Sequence, residues 1–287
     1  VKYEFIERHR QQFRVRSMCR VLEVSRAGFY AWSGRGDSAR RKQDLLLLGH
    51  IRKVHAANRE AYGVVKTWQA LKRAGVPCGK HRVGRLRREA GIEARRSKRF
   101  RLTVEHQFTA PAAPDLVNRR FRADRPDQIW AGDMTFVRTR EGWLHLAILL
   151  DLCTETAVGW GMGSRPDESV PLGALAMALE RRRPAPGLIH HTDRGGLYRA
   201  RRYSELVRSA GIRPSMNGTS RPHDNAVAES FFSTLKNELI HHSDFQTRDE
   251  ARAAIFSYIE GFYNRQRLHQ SLAYRTPLEA ERAFEVI

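Results

Sequence analysis

The chain has 287 residues, 41% of them hydrophobic, which is enough for about two domains with packed cores and too many for general disorder. Its apolar runs, such as Leu144 to Leu150, fall far short of the ~20 residues a membrane span needs, and no apolar signal core opens the chain. The net charge is +20, and it lies in one half: residues 1–125 hold 31 Lys and Arg against 11 Asp and Glu, whereas residues 126–287 hold 20 of each.

A polycationic half beside a balanced one suits double-stranded DNA, where each neutralised phosphate releases counterions. A membrane is not an expected partner. Cys19, Cys78 and Cys153 are too scattered for a disulfide framework or a sulfur-rich zinc site, and they fit a reducing cytoplasm.

In chain order, residues 1–36 outline a helix-turn-helix-like segment. Met18, Val21 and Leu22 have helical spacing, Ser25 stands where an N-cap belongs, and Phe29, Tyr30 and Trp32 follow on a second short helix. Residues 38–95 predict a basic helical DNA-binding domain, with helices over Leu45 to Ala57, Val64 to Ala74 and Lys80 to Ala90. The turn Gly75 to Gly79 precedes the third helix, which carries Arg82, Arg85, Arg87 and Arg88 around an apolar line of Val83, Leu86 and Ala90. These four arginines are the candidate DNA contacts. Residues 96–125 read as a linker, for Pro111 and Pro114 stop both helix and central strand.

From 126 to 287 the pattern changes. Gln128 to Val137, Trp143 to Leu152 and Thr156 to Gly163 predict three strands joined by short connections, hence an antiparallel meander. Helix 168–182, strand 187–192, helix 200–210, strand 212–216 and helices 224–240 and 247–264 follow. The fold class is therefore α/β, a mixed sheet flanked by helices of the ribonuclease-H-like kind, preceded by the α-helical half. Phe256, Tyr258, Phe262 and Tyr263 read as core packing.

Three acids stand out. Asp133 interrupts the otherwise apolar strand Ile129 to Val137, Asp193 ends the fourth strand, and Glu229 lies on the helix after Asp224. A carboxylate buried in a strand is costly unless it is paired or binds metal. If the first and fourth strands are neighbours, Asp133 and Asp193 face each other, and a helical glutamate completes an all-oxygen site suited to Mg²⁺, with Mn²⁺ as a substitute. Two such ions ~3.5–4 Å apart can activate an attacking oxygen and stabilise a leaving one in phosphoryl transfer. His190 and His191 could be read as zinc ligands, but adjacent strand residues point to opposite faces. Asp151 is the rival first carboxylate, although a turn-forming Asp is ordinary at a strand end.

The wording around these acids resembles the retroviral-integrase-like transposases of bacterial insertion sequences, the DDE superfamily, and in particular the catalytic second-frame protein of its two-reading-frame class. The resemblance rests on Trp130-Ala-Gly-Asp133-Met-Thr135, His191-Thr-Asp193-Arg-Gly195 and the run from Asp224 through Glu229 to Lys236, with 35 residues between Asp193 and Glu229. Tyr263 to His269, Thr276-Pro277, Tyr62-Gly63 and Arg82 to Ile92 extend it over nearly the whole chain. His223 departs from the small or sulfur-bearing residue that the family often places there.

The resemblance implies that Asp133, Asp193 and Glu229 are both catalytic residues and metal ligands, and that Lys236 contacts the transposon end. Seven residues at ~100° each bring Lys236 within ~20° of Glu229 on one helix face. Asn225 shares that face and is a further candidate for orienting DNA or the carboxylate. The family implies strand cleavage and strand transfer at the element's ends through a circular intermediate. It also implies a homo-oligomer on paired ends and, as another partner, the upstream-frame DNA-binding protein of the same element. A non-catalytic DNA-binding protein and a nuclease that cleaves without joining are the alternative classes.

Overall fold

The computed structural model describes residues 1–36, 38–95, 113–118, 120–216 and 225–285. Most of the expected linker, and the segment holding His223, lie outside these residues. No helix among the described residues is long and apolar enough to cross a membrane.

Six helices come first: α1 (Lys2–His9), α2 (Val15–Val21), α3 (Arg26–Ser33), α4 (Ala39–Ala57), α5 (Val64–Arg73) and α6 (Lys80–Glu89). Ser25 caps α3 as its sequence position predicts, its side chain accepting the Gly28 amide at 2.9 Å. Helices α1 to α3 close over Ile6, Met18, Cys19 and Phe29. Helices α4 to α6 close over Leu47, Ile51, Leu71, Val83 and Leu86. Helix α1 was not expected from the sequence; Ile6 is its one buried side chain, too little to show as periodicity.

The second half is a five-stranded sheet of β1 (Ile129–Thr139), β2 (Gly142–Asp151), β3 (Ala157–Gly163), β4 (Ile189–Thr192) and β5 (Arg213–Met216) in the order β3-β2-β1-β4-β5. The predicted meander is present, with β1 and β3 both antiparallel to β2. Strand β4 then runs parallel to β1, and β5 parallel to β4. Helix α7 (Ser169–Arg182) crosses from β3 to β4, and α8 (Arg201–Ser209) from β4 to β5. The remaining elements are α9 (Ala226–Glu238), α10 (Arg248–Phe256), a π-helical turn over Ser257–Tyr263, and α11 (Pro277–Glu285).

Both faces of the sheet are covered, which explains why β2 reads as an unbroken apolar run. Leu144, Leu146, Ile148 and Leu150 pack against α9, α10 and the π-turn, while Ala147 and Leu149 face α7 and α8. Helix α7 lies close on β3 because β3 has glycines there: a Cβ at Gly159 would sit 2.2 Å from the Ala174 carbonyl oxygen, and one at Gly161 2.2 Å from that of Val170. Tyr258, Phe262 and Tyr263 are buried as expected. Phe256 is not: at the end of α10 it is 51% exposed and meets Trp160 of β3 edge-on.

Candidate active site

Strands β1 and β4 set the site. Their parallel register pairs Ile129 with Ile189, Trp130 with His190 and Ala131 with His191, and the same offset carried two residues on brings Asp193 opposite Asp133. Gly132 permits the approach, for a Cβ there would meet the His190 ring at 2.7 Å. Past β4, the Asp193 carboxylate turns back to accept the Gly195 amide at 2.9 Å. Asp133 and Asp193 line one cavity of about 310 Å³, with Phe136, His145 and Tyr198 also in its wall.

Asp133 accepts the Met134 amide at 2.7 Å. Burial pushes its pKa up to about 7, and the negative charges of Asp193 and Glu229 push the same way; the Met134 amide and Lys236 offset them only in part. The cavity therefore concentrates negative charge around Asp133.

Glu229 stands exposed in the first turn of α9, and its charge still reaches Asp133. Asn225, immediately before α9, ties this turn to β1: its Nδ2 donates to the Gly132 carbonyl at 2.8 Å, one residue from Asp133. Asn225 is 4% exposed. Of the two uses expected of it, orienting DNA or the carboxylate, this buried backbone tether beside Asp133 suits the second. Lys236 is half-buried two turns along α9, its ammonium 5.8 Å from the centre of the Phe136 ring. Burial lowers its pKa, and Asp133 works against that shift.

Among the described residues, no three His, Cys, Asp or Glu side chains are gathered tightly enough to hold a metal ion as they stand. The donor set nonetheless fits a hard divalent cation. It is all carboxylate oxygen, two of its members face one cavity in strand register, and the raised Asp133 marks a site where a cation would relieve repulsion.

The zinc alternative finds no support in the histidines. His190 takes the Tyr203 phenol proton on Nε2 at 2.7 Å and donates from Nδ1 to the Trp130 carbonyl at 3.3 Å; burial pulls its pKa down to about 4. His191 bonds the Ser215 hydroxyl at 2.8 Å. Asp151 is fully buried and organises a turn, accepting the amides of Asp127, Cys153 and Thr154 at 2.6–2.9 Å.

In the helical domain the four candidate arginines part company. Arg88 is exposed. Arg82 and Arg85 share the Asp44 carboxylate at 2.6 and 2.7 Å, and Arg85 also meets Glu89. Arg87 is 3% exposed and donates to the Thr67 hydroxyl at 3.0 Å, so its assignment as a DNA contact is corrected: it faces the interior of α4 to α6.

Sequence reasoning also missed what the tail motif does. Asn264 clamps the start of β3 through the Ala157 amide and carbonyl, Arg267 grips Glu238 from two nitrogens, and His269 meets Glu155 at 2.6 Å. Their partners lie 29 to 114 residues away, beyond the reach of any local pattern.

Comparison with known proteins agrees with this architecture. The description "Integrase core domain" matches residues 123–222 and, through a second model, 210–277; "HTH-like domain" matches residues 41–100. The chain is 41% identical over 260 residues to an uncharacterised 31 kDa protein of insertion element IS600 from Shigella sonnei, covering 91% of this chain and 96% of that one. It is 37% identical to Transposase InsF for insertion sequence IS3A of Escherichia coli, covering 94% of each. Among solved structures, the HTLV-2 integrase catalytic core domain in complex with magnesium aligns with a TM-score of 0.44 at 16% identity, over 56% of this chain and 99% of that one. The integrase core implies dependence on a divalent metal, and the helix-turn-helix-like domain implies DNA binding. By its identity to InsF over nearly its whole length, the chain belongs to the IS3-family insertion-sequence transposases, enzymes of DNA transposition and integration.

Proposed function

We propose that Asp133, Asp193 and Glu229 are the metal-holding catalytic carboxylates of this transposase and that they act with two ions, Mg²⁺ or, as a substitute, Mn²⁺. The observation that carries this reading is the β1–β4 register, which sets two carboxylates at one cavity and leaves Asp133 with a pKa of about 7. When bound, the ions would supply Lewis-acid stabilisation of the attacking and leaving oxygens. Asp133 holds from β1, on backbone fixed by pairing with β2, and Asp193 from just past the end of β4. Glu229 closes from α9, held near Gly132 by Asn225. Lys236 places a positive charge on the same helix for a phosphate of the transposon end.

The reaction begins with hydrolytic nicking at an end of the element, after which the freed 3′-hydroxyl attacks another phosphodiester at the same site. Residues 38–95 bind the duplex, with Arg88 free to do so and Arg82 and Arg85 exchanging Asp44 for phosphate. Residues 1–36 form a second helix-turn-helix-like unit, 96–125 a linker and 126–287 the catalytic unit, which works as a homo-oligomer on paired ends. The upstream-frame protein of the same element is a further partner.

The test is a cleavage and joining assay on labelled end DNA with Mn²⁺. Asp133→Asn, Asp193→Asn and Glu229→Gln are each expected to lose cleavage by at least a thousandfold and to keep end binding. Near-normal cleavage by any of the three removes that residue from the site. Nicking without joined products would reassign the protein as a nuclease.

A further inference from the structure

Among the described residues, nothing bonds the Tyr198 hydroxyl. Tyr198 lies on the 3₁₀ turn Gly196–Arg199 that follows Asp193, and its side chain lines the cavity shared by Asp133 and Asp193. The residue is 6% exposed, and its hydroxyl oxygen has no hydrogen-bond partner among the described residues. Buried hydroxyls without a partner are rare in folded proteins and call for an explanation.

Packing alone does not supply one. The ring stands edge-on to Tyr203 at 5.4 Å and to His190 at 6.4 Å, contacts that a phenylalanine would make equally well. Tyr203, the ring it packs against, shows the contrast, for its hydroxyl is spent on His190. A phenol is a hydrogen-bond donor, so it offers a hydrogen to whatever enters. Cations belong to the carboxylates. A donor beside them suits a group rich in acceptors and lacking hydrogens, which describes the non-bridging oxygens of a phosphodiester.

We propose that Tyr198 contacts substrate, its hydroxyl donating a hydrogen bond to a non-bridging oxygen of the DNA phosphate that enters the cavity of Asp133 and Asp193. This rests on the assignment of those two aspartates to the reaction site.

The experiment compares wild type and Tyr198→Phe in single-turnover nicking of end DNA. The scissile phosphate is all-oxygen or carries sulfur at one or the other non-bridging position, and Mn²⁺ is the metal. End binding by fluorescence anisotropy in Ca²⁺ and thermal unfolding are measured alongside. Tyr198→Phe is expected to unfold within a few degrees of wild type, to bind ends within threefold, and to nick the all-oxygen strand at least tenfold more slowly. Sulfur at the contacted oxygen should slow wild type while adding little to the defect of Tyr198→Phe. Rates within twofold of wild type overturn the proposal. So do sulfur effects that multiply fully with the substitution at both positions, or a loss of end binding that accounts for the whole rate defect. If Asp133→Asn still nicks, the site assignment itself fails; if Asp133→Asn is inactive while Tyr198→Phe is normal, only the Tyr198 contact fails.

Discussion

Asp133 couples protons, metal and fold. Its carboxyl, ordinarily near 3.8, sits at about 7 because it is buried and faces Asp193 and Glu229. An acid raised in the folded state contributes stability below its unfolded pKa and loses that contribution as pH rises through the folded value. The metal-free protein should therefore lose melting temperature between pH 5 and pH 8, and Asp133→Asn should flatten that loss; equal slopes for the two proteins would show that another group sets it. Metal must displace the proton from a group near 7, so the Mn²⁺ concentration giving half-maximal stabilisation should be about fivefold higher at pH 6 than at pH 7. Calcium or magnesium removal by chelation should return the pH 8 melting temperature to its metal-free value.

Asn225 and Arg87 show how one neighbour decides a polar residue's use. Asn225→Ala removes the donor to Gly132 and leaves that carbonyl buried, at a cost of about 1–3 kcal/mol. Its loss should also slow cleavage, since Glu229 sits one turn away. A variant that is less stable yet cleaves normally would confine Asn225 to folding. Arg87→Ala should destabilise the helical domain in urea unfolding, again by about 1–3 kcal/mol, because the Thr67 hydroxyl loses its partner. Arg88→Ala should leave unfolding unchanged and lower the salt dependence of DNA binding by about one charge. The reverse pattern would mean that the two arginines have been exchanged in role.

At the scale of elements, strands and long helices were readable because burial leaves a period in the sequence. Strand β2 and helix α7 lie within a residue or so of their expected bounds, as does the Ser25 cap. The meeting of Asp133 and Asp193 at one cavity was readable too, for an acid inside the apolar Ile129–Val137 strand violates its local pattern. What was hidden is tertiary. Arg82, Arg85 and Arg87 look alike along one helix, and only the positions of Asp44 and Thr67 on neighbouring helices separate them. Tyr198 gave no signal, since its meaning is a missing partner. The small residues of β3 belong to the same class. Gly161→Val would push a side chain into the Val170 carbonyl and lift α7 from the sheet, so it should cost at least about 1–3 kcal/mol and lower the urea midpoint. An unchanged midpoint would contradict the close packing.

Across the whole molecule, the helical domain is seated on the tail of the catalytic domain. The buried Tyr62 hydroxyl donates to the Gln266 carbonyl at 3.3 Å and accepts the Leu268 amide at 2.8 Å, while Arg73 reaches the Tyr274 carbonyl and Glu279. The Arg59 guanidinium lies over Tyr258 and Phe262. These contacts hold the tail segment Gln266–Leu268 beside Glu238, which Arg267 neutralises, and Glu238 ends the helix that begins near Glu229. The basic domain and the acidic cavity are thus parts of one connected frame.

The central claim is that Asp133, Asp193 and Glu229 come together on divalent metal. The most direct measurement is anomalous diffraction from crystals of the full chain with end DNA and Mn²⁺. The account predicts manganese peaks in the β1–β4 cavity, each about 2.1 Å from its oxygen ligands, with all three carboxylates among those ligands. Manganese elsewhere, or in the cavity without Glu229 among its ligands while the DNA is bound, would contradict it.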